Sequence, residues 1–229
     1  MMLPLDGDVR TRLKVCCIAS VEEARLACEA GADALGLVGR MPSGPGTIGD
    51  DQIARIAGWA PAGIATFLLT CETGPDAVVD HVRRTGVNTV QLVDDGIFPE
   101  VYSALRERAP GVRIVQVIHV RDGSAVGRAL AAAPLVDMLL LDSGNPTARV
   151  RELGGTGRTH DWTISREIVD GAPTPTPRAV ILAGGITPLN VGEAIRRVRP
   201  MAIDLCSGVR TNGRLDPAKL HALTAAMWG

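Results

Sequence analysis

The chain has 229 residues, enough for one full (β/α)8 barrel or for one and a half domains of average size. Hydrophobic residues make up 46% of it and aromatic residues only 3%, a composition that suits layered aliphatic core side chains and offers few rings for stacking on nucleic-acid bases. With 24 basic and 25 acidic side chains the formal net charge is −1 and no basic run is present, so we expect no nucleic-acid partner.

The apolar stretches are far too short to cross a bilayer, and the N-terminal stretch MMLPLDGDVRTR lacks the apolar core of a signal peptide. We therefore expect a soluble cytoplasmic protein with no membrane partner. The five cysteines are odd in number and scattered, with neither CxxC spacing nor paired histidines. This pattern predicts reduced thiols, no disulfide framework and no metal site.

Short aliphatic runs alternate along the chain with amphipathic stretches of about a dozen residues, which is the signature of βαβ units in a parallel sheet. The runs predicted as strands are Leu13–Ile18, Ala34–Val38, Gly63–Leu69, Thr89–Val93, Arg113–Val120, Met138–Asp142, Ala179–Ala183 and Ala202–Cys206. The stretches predicted as helices are Val21–Ala30, Asp50–Ala57, Pro75–Thr85, Phe98–Arg108, Ser124–Ala131, Ile164–Val169, Leu189–Val198 and Asp216–Met227.

Eight such units predict an α/β fold, a single (β/α)8 TIM barrel that spans residues 1–229 as one domain. The strands read as continuous hydrophobic runs, as strands buried on both faces do. An open, doubly wound sheet is the alternative, but no GxGxxG motif follows the first strand.

Three glycine-containing turns near the end of the chain suit a phosphate group. They are Gly154–Gly157, Leu182–Gly185 and Cys206–Gly208, and two of them directly follow a short apolar run. Glycine lets backbone N–H groups close around an anion, and loops after the last strands of a barrel commonly bind a substrate phosphate. We therefore predict a small phosphorylated sugar as substrate, with candidate phosphate ligands at Gly155, Gly184, Gly185, Ser207 and Gly208.

Catalytic residues of a barrel come from the carboxyl ends of its strands, and two such positions stand out. Cys16 lies near the end of the first run, and Asp142 ends a run of leucines. The thiol is either reactive or a small buried hydrophobe, and the carboxylate is either a loop-fixing group or an acid with a raised pKa. Other polar residues at strand ends are Gln91, Gln116, His119 and Asp204.

Several segments occur in the order typical of one enzyme family, and the chain resembles phosphoribosylanthranilate isomerase over nearly its whole length. The matching segments are Lys14–Cys16, Glu29–Gly36, Gln91–Leu92, Leu139–Ser143, Gly154–Trp162, Leu182–Gly185 and Asp204–Val209. The resemblance implies an enzyme of tryptophan biosynthesis that catalyses an Amadori rearrangement without a metal or an organic cofactor. It also implies that Asp142 is the general acid and Cys16 the general base.

The sequence departs from the family pattern on the aromatic side of the expected site. Cys17 stands where the family has a glycine, and we expect its side chain to point away from that of Cys16. The loop after the second strand lacks the arginine that holds the anthranilate carboxylate; Arg40 is a substitute or simply a solvent-facing side chain. Gln91 remains a candidate substrate contact, and His119 either lines this side of the pocket or packs in the core.

Of the remaining histidines, His81 and His221 are expected at the surface of helices, and His160 lies within the family-like loop. Two other functions are open: a related barrel isomerase for a different phosphorylated amino-sugar, and a phosphoribosyl-binding protein without activity. The presence of both Cys16 and Asp142 argues against a mere binding protein, which needs no acid and base. We expect a monomer or a homodimer.

Overall fold

The computed structural model describes residues 10–42, 44–94, 97, 99–144, 159–172 and 179–229. Its parallel strands close into a barrel in which each strand pairs with its neighbours in the sequence and β8 pairs with β1, so the predicted TIM barrel is confirmed. The barrel strands are β1 (Arg12–Val15), β2 (Ala34–Val38), β3 (Ala65–Thr70), β4 (Thr89–Leu92), β5 (Arg113–His119), β6 (Met138–Asp142), β7 (Val180–Leu182) and β8 (Ala202–Leu205).

The helices lie around the barrel and alternate with the strands in the sequence. They are α1 (Val21–Glu29), α2 (Asp50–Trp59), α3 (Pro75–Thr85), α4 (Pro99–Arg108), α5 (Ser124–Ala132), α6 (Trp162–Gly171), α7 (Val191–Val198) and α8 (Pro217–Trp228). After β8 the chain makes a 3-10 turn at Ser207–Val209 and a short hairpin of β9 (Arg210–Thr211) and β10 (Arg214–Leu215). No helix in the described ranges is both long and apolar enough to cross a membrane.

Successive strand residues alternate between two buried layers, as the pleat of a strand requires. Along β5, Val115 and Val117 belong to the cluster inside the barrel, whereas Ile114 and Ile118 belong to the larger cluster that packs against the helices. Gln116 also points outward, where its Oε1 accepts a hydrogen bond of 2.8 Å from the Tyr102 hydroxyl. Gln116 therefore holds α4 against β5 and is not a candidate for chemistry.

The boundaries differ from the predicted ones mainly at strand ends. β1 ends at Val15 because Cys17 adopts a left-handed backbone with φ 63°, which no strand can accommodate. Helix α6 begins two residues earlier than predicted because the Asp161 side chain accepts a hydrogen bond from the Thr163 N–H and caps the helix.

The prediction that His81 lies at the surface is wrong. Its ring is 6% exposed, with Nδ1 3.0 Å from the Thr70 hydroxyl and Nε2 3.1 Å from an Asp50 carboxylate oxygen. These two contacts tie α3 to β3 and α2, so His81 is part of the packing between helices and barrel.

Candidate active site

A pocket of about 740 Å³, its open mouth included, lies at the carboxyl ends of the barrel strands. This is the end of the barrel where catalytic residues are found in enzymes of this fold. The lining residues come from β1 to β8 and the loops after them: Cys16, Cys17, Val38, Met41, Gly44, Pro45, Leu69, Gln91, Val117, Leu140, Asp142, Ala183, Gly184, Gly185, Ile186, Asp204, Leu205, Cys206 and Ser207.

The two residues predicted to carry the chemistry both line this pocket. Asp142 ends β6 and Cys16 follows β1, and each is only 5–6% exposed. Burial raises the pKa of the Asp142 carboxyl, and nearby Asp204 adds to this effect; the Ser143 N–H, His119 and Lys14 oppose it. The pocket thus combines a carboxylic acid that tends to keep its proton with a thiol on the same half of the barrel mouth.

A buried ion pair lies beneath Cys16. The Lys14 ammonium on β1 is 2.9 Å from an Asp204 carboxylate oxygen on β8, and both side chains are almost fully buried. Burial alone would lower the pKa of Lys14, but attraction to Asp204 and to Cys16 outweighs it and raises that pKa. Lys14 therefore remains charged inside the protein.

Gly36 makes room for this arrangement. A Cβ at position 36 would lie 2.8 Å from the Cys16 Sγ, closer than real Cβ contacts, and 3.1 Å from the Lys14 Nζ, which is tighter than most. The same geometry places the thiol and the ammonium no more than about 6 Å apart, so the Lys14 charge lies close to the Cys16 sulfur.

Cys17 also lines the pocket, contrary to the expectation that the two neighbouring thiols point in opposite directions. That expectation assumed a continuous strand, whereas the left-handed backbone at Cys17 ends the alternation. Its Sγ lies 2.6 Å from the Sγ of Cys206, which follows β8. Three thiols, those of Cys16, Cys17 and Cys206, therefore meet on one side of the barrel mouth.

Arg210 holds the backbone of this loop in place. Its Nη2 donates to the carbonyl oxygens of Cys16 and Cys17, and its Nη1 pairs with the Glu23 carboxylate at 3.0 Å. The side chains of Arg210 and Glu23 are 8% and 14% exposed. Sequence reasoning missed both residues, because they are 187 positions apart and neither lies at the carboxyl end of a barrel strand.

The glycine turns after β7 and β8 lie side by side at the same rim. Gly184 and Gly185 have φ values of 86° and 63°, which only glycine adopts without strain. A Cβ at Gly208 would lie 2.3 Å from the Ile186 carbonyl oxygen, so the two turns approach each other closely. Ser207 lies at the rim of the same pocket, and the Gly155 turn lies outside the described residues.

The remaining candidates occupy different positions. Gln91 on β4 is 3% exposed and lines the pocket, and its Oε1 has no hydrogen-bond partner among the described residues. Arg40 is exposed and lines a depression next to the pocket together with Met41 and Glu72. His119 is fully buried beside Asp142 on the neighbouring strand β5, with Nε2 3.0 Å from the Val93 carbonyl oxygen, and it is not a lining residue.

His160 lies outside the pocket lining. Its Nε2 is 2.6 Å from the Ser165 hydroxyl on α6, and burial lowers the pKa of the ring to about 4. Within the ranges that the structure describes, no group of three His, Cys, Asp or Glu side chains is arranged to hold a metal ion.

Comparison with known proteins gives one consistent result. The family model for N-(5'-phosphoribosyl)anthranilate isomerase matches residues 13–226. The enzyme of that name from Methanocella arvoryzae is 37% identical over 210 residues, which cover 92% of this chain and 94% of the relative.

Two solved structures have the same barrel. Monomers generated from the dimeric phosphoribosylanthranilate isomerase of Thermotoga maritima match with a TM-score of 0.75 and 26% identity, covering 95% of this chain and 98% of theirs. A phosphoribosylanthranilate isomerase in complex with reduced 1-(o-carboxyphenylamino)-1-deoxyribulose 5-phosphate matches with the same values. These findings confirm the predicted enzyme class, an aldose–ketose isomerase. The chain belongs to the N-(5'-phosphoribosyl)anthranilate isomerase family.

Proposed function

We propose that this protein rearranges N-(5-phosphoribosyl)anthranilate, an N-linked phosphoribosyl aminal, to the 1-amino-1-deoxyribulose 5-phosphate product, as a cytoplasmic step of tryptophan biosynthesis. One observation carries the assignment. A buried carboxylic acid and a thiol line the same pocket, and glycine turns form part of the rim of that pocket. The reaction needs one proton delivered to the ribose ring oxygen and one removed from C2′. The proposed mechanism uses the protein's own groups and no cofactor.

Asp142 is the proposed general acid. Its raised pKa, due to burial, lets the carboxyl carry a proton closer to neutral pH than an exposed aspartate could. Transfer of this proton to the ring oxygen opens the ribose to a Schiff base. His119, buried beside Asp142 on the neighbouring strand, is proposed to act as a packing and positioning residue and not as a substrate contact.

Cys16 is the proposed general base. Once the ring is open, the thiolate removes the C2′ proton, and the resulting enol rearranges to the ketose. The charged Lys14 lies close to Cys16, and Asp204 keeps Lys14 in place. Each positioned proton transfer is worth about 10²–10⁴ in rate.

The phosphate is proposed to bind at the rim formed by Gly184, Gly185, Ser207 and Gly208, joined by Gly155 from the loop after β6. Within the described part of the chain, the N–H groups of Gly184, Gly185 and Ser207 donate to no protein acceptor and are thus available to an anion. The helix after β8 is only the 3-10 turn Ser207–Val209, so we attribute binding to these N–H groups and not to a long helix dipole.

The aromatic ring is proposed to lie against the apolar lining, which includes Val38, Met41 and Leu69. Gln91 has an unpartnered buried oxygen aimed into the pocket and can accept a hydrogen bond from the substrate. Arg40, next to Met41 at the edge of the pocket, supplies a cation for the anthranilate carboxylate.

The test is turnover of N-(5-phosphoribosyl)anthranilate by the purified protein, together with rescue of a tryptophan auxotroph that lacks this isomerase. We expect turnover and rescue by the wild type, and neither by Asp142→Asn or Cys16→Ala. Absence of turnover by a folded wild-type protein that still binds ribose 5-phosphate would overturn the assignment and point to another phosphorylated amino-sugar.

A further inference from the structure

Cys17 and Cys206 form a close thiol pair that the proposed mechanism does not use. They follow β1 and β8, which are neighbours in the barrel, and they are 189 positions apart in the sequence. Their Sγ atoms lie 2.6 Å apart, about 0.6 Å more than the 2.05 Å length of an S–S bond. A small movement is therefore enough to join them.

The two thiols differ in a way that suits thiol–disulfide exchange. The hydrogen bond with Cys17 lowers the pKa of Cys206, and the nearby Arg210 guanidinium lowers it further. The pKa of Cys17 is raised by its hydrogen bonds with Cys16 and Cys206 and by burial. Cys206 is also the more accessible of the two, since it is half-buried at the pocket whereas Cys17 is 5% exposed.

We propose that Cys17 and Cys206 form a reversible disulfide across the barrel mouth when the protein meets a low-molecular-weight disulfide, and that this bond switches the isomerase off. The formation of the bond does not depend on the function proposed above. Only its inhibitory effect rests on that function.

The chemistry balances in two exchange steps. The Cys206 thiolate attacks one sulfur of the small disulfide, forms a mixed disulfide and expels one thiolate. Cys17 then loses its proton to solvent and attacks the Cys206 sulfur, which forms the protein disulfide and expels the second thiolate. Two protein thiols are oxidised and one small disulfide is reduced to two thiols, so no other oxidant is needed.

The bond would affect the two ends of the active site at once. Cys17 directly follows the proposed base, and its thiol donates a hydrogen bond to the Pro45 carbonyl oxygen in the loop after β2. Cys206 directly precedes Ser207 of the proposed phosphate rim. Oxidation removes the Cys17 proton and pulls both loops together, and misplacement by about 1 Å can cost about 100-fold in rate.

The experiment uses the purified full chain and oxidised glutathione. After incubation, remaining thiols are alkylated under denaturing conditions, and the protein is digested and analysed by mass spectrometry. We expect a peptide that links Cys17 to Cys206, alkylation of Cys16, Cys28 and Cys71, and a fall in kcat/KM of about tenfold or more that dithiothreitol reverses.

Three variants test the assignment. Cys206→Ser keeps a polar group at the pocket and should stay active in oxidised glutathione. Cys17→Gly removes the other thiol, and glycine fits the left-handed backbone at this position. The activity of this variant should be nearly the same with and without oxidised glutathione. The matched control Cys28→Ser, on α1, should be inhibited as strongly as the wild type.

Several results would overturn the proposal. One is that all five cysteines are still alkylated after the incubation. A second is that glutathione stays attached to Cys16 or Cys206 and no Cys17–Cys206 peptide forms. A third is that oxidised glutathione fully inhibits Cys206→Ser. A linked peptide in a protein that never turns over the substrate would instead support the bond and refute the proposed function.

Discussion

The barrel mouth has two unlike halves. The ends of β6, β7, β8 and β1 carry the carboxylates of Asp142 and Asp204, the glycine turns and the thiols. On the half formed by β2 to β5, Gln91 is the only polar side chain among the described residues that line the pocket. On the function proposed above, proton transfer and phosphate binding share one half and leave the other to the aromatic ring. Changes in the first half should act on kcat or phosphate affinity, and changes in the second on KM.

The largest effect should come from Asp142→Asn. We expect kcat to fall by about 10³–10⁴, with affinity for ribose 5-phosphate unchanged, because the amide cannot deliver a proton. Because burial raises the pKa of Asp142, its ionised form lowers stability above the usual aspartate pKa, so the variant should be more stable than the wild type at pH 7. Kinetics, calorimetry and thermal unfolding measure the three quantities. A variant that keeps a tenth of the wild-type rate would contradict the role.

Lys14→Met should come next. Removal of one partner of a buried ion pair costs about 3–5 kcal/mol of stability, because the Asp204 carboxylate remains buried and unpaired. The double variant Lys14→Met/Asp204→Leu should recover most of that loss. In the double variant, kcat should stay low although stability recovers, because no positive charge remains close to the Cys16 sulfur. A recovered protein with the wild-type kcat would leave Lys14 a purely structural residue.

The phosphate rim is tested by two glycines of equal conformation. Gly185 and Gly86 have φ values of 63° and 64°, but Gly86 ends α3 with nothing near its Cβ position. Alanine should therefore strain both backbones alike, whereas only Gly185→Ala should weaken ribose 5-phosphate binding, by about tenfold or 1.4 kcal/mol. Titration calorimetry measures this affinity. Equal binding by the two variants would mean that the turn after β7 is only structural.

The apolar half should respond more weakly. Arg40→Ala should raise KM for N-(5-phosphoribosyl)anthranilate about two- to fivefold with little change in kcat, because an exposed ion pair contributes about 1 kcal/mol or less. The exposed Arg55 on α2 provides the matched control, Arg55→Ala. If the two variants have the same KM, the anthranilate carboxylate has another partner.

The barrel and the positions of Asp142 and Cys16 could be predicted because parallel strands read as aliphatic runs and end at the catalytic face. The direction of Cys17 could not, since it depends on a single left-handed residue that interrupts the alternation. Nor could the pairing of Arg210 with Glu23, which the chain brings together only when the barrel closes. Sequence patterns thus predict the strands and helices that repeat along the chain. They do not predict features set by a single unusual residue or by contacts between distant residues.

The most direct test of the acid–base account uses substrate labelled with deuterium at C2′. The wild type should transfer the label to water as product forms and show a primary isotope effect when proton removal limits the rate. Cys16→Ala should neither release the label nor form product, although it still binds ribose 5-phosphate. Release of deuterium by Cys16→Ala at the wild-type rate would contradict the central claim that this thiol removes the C2′ proton.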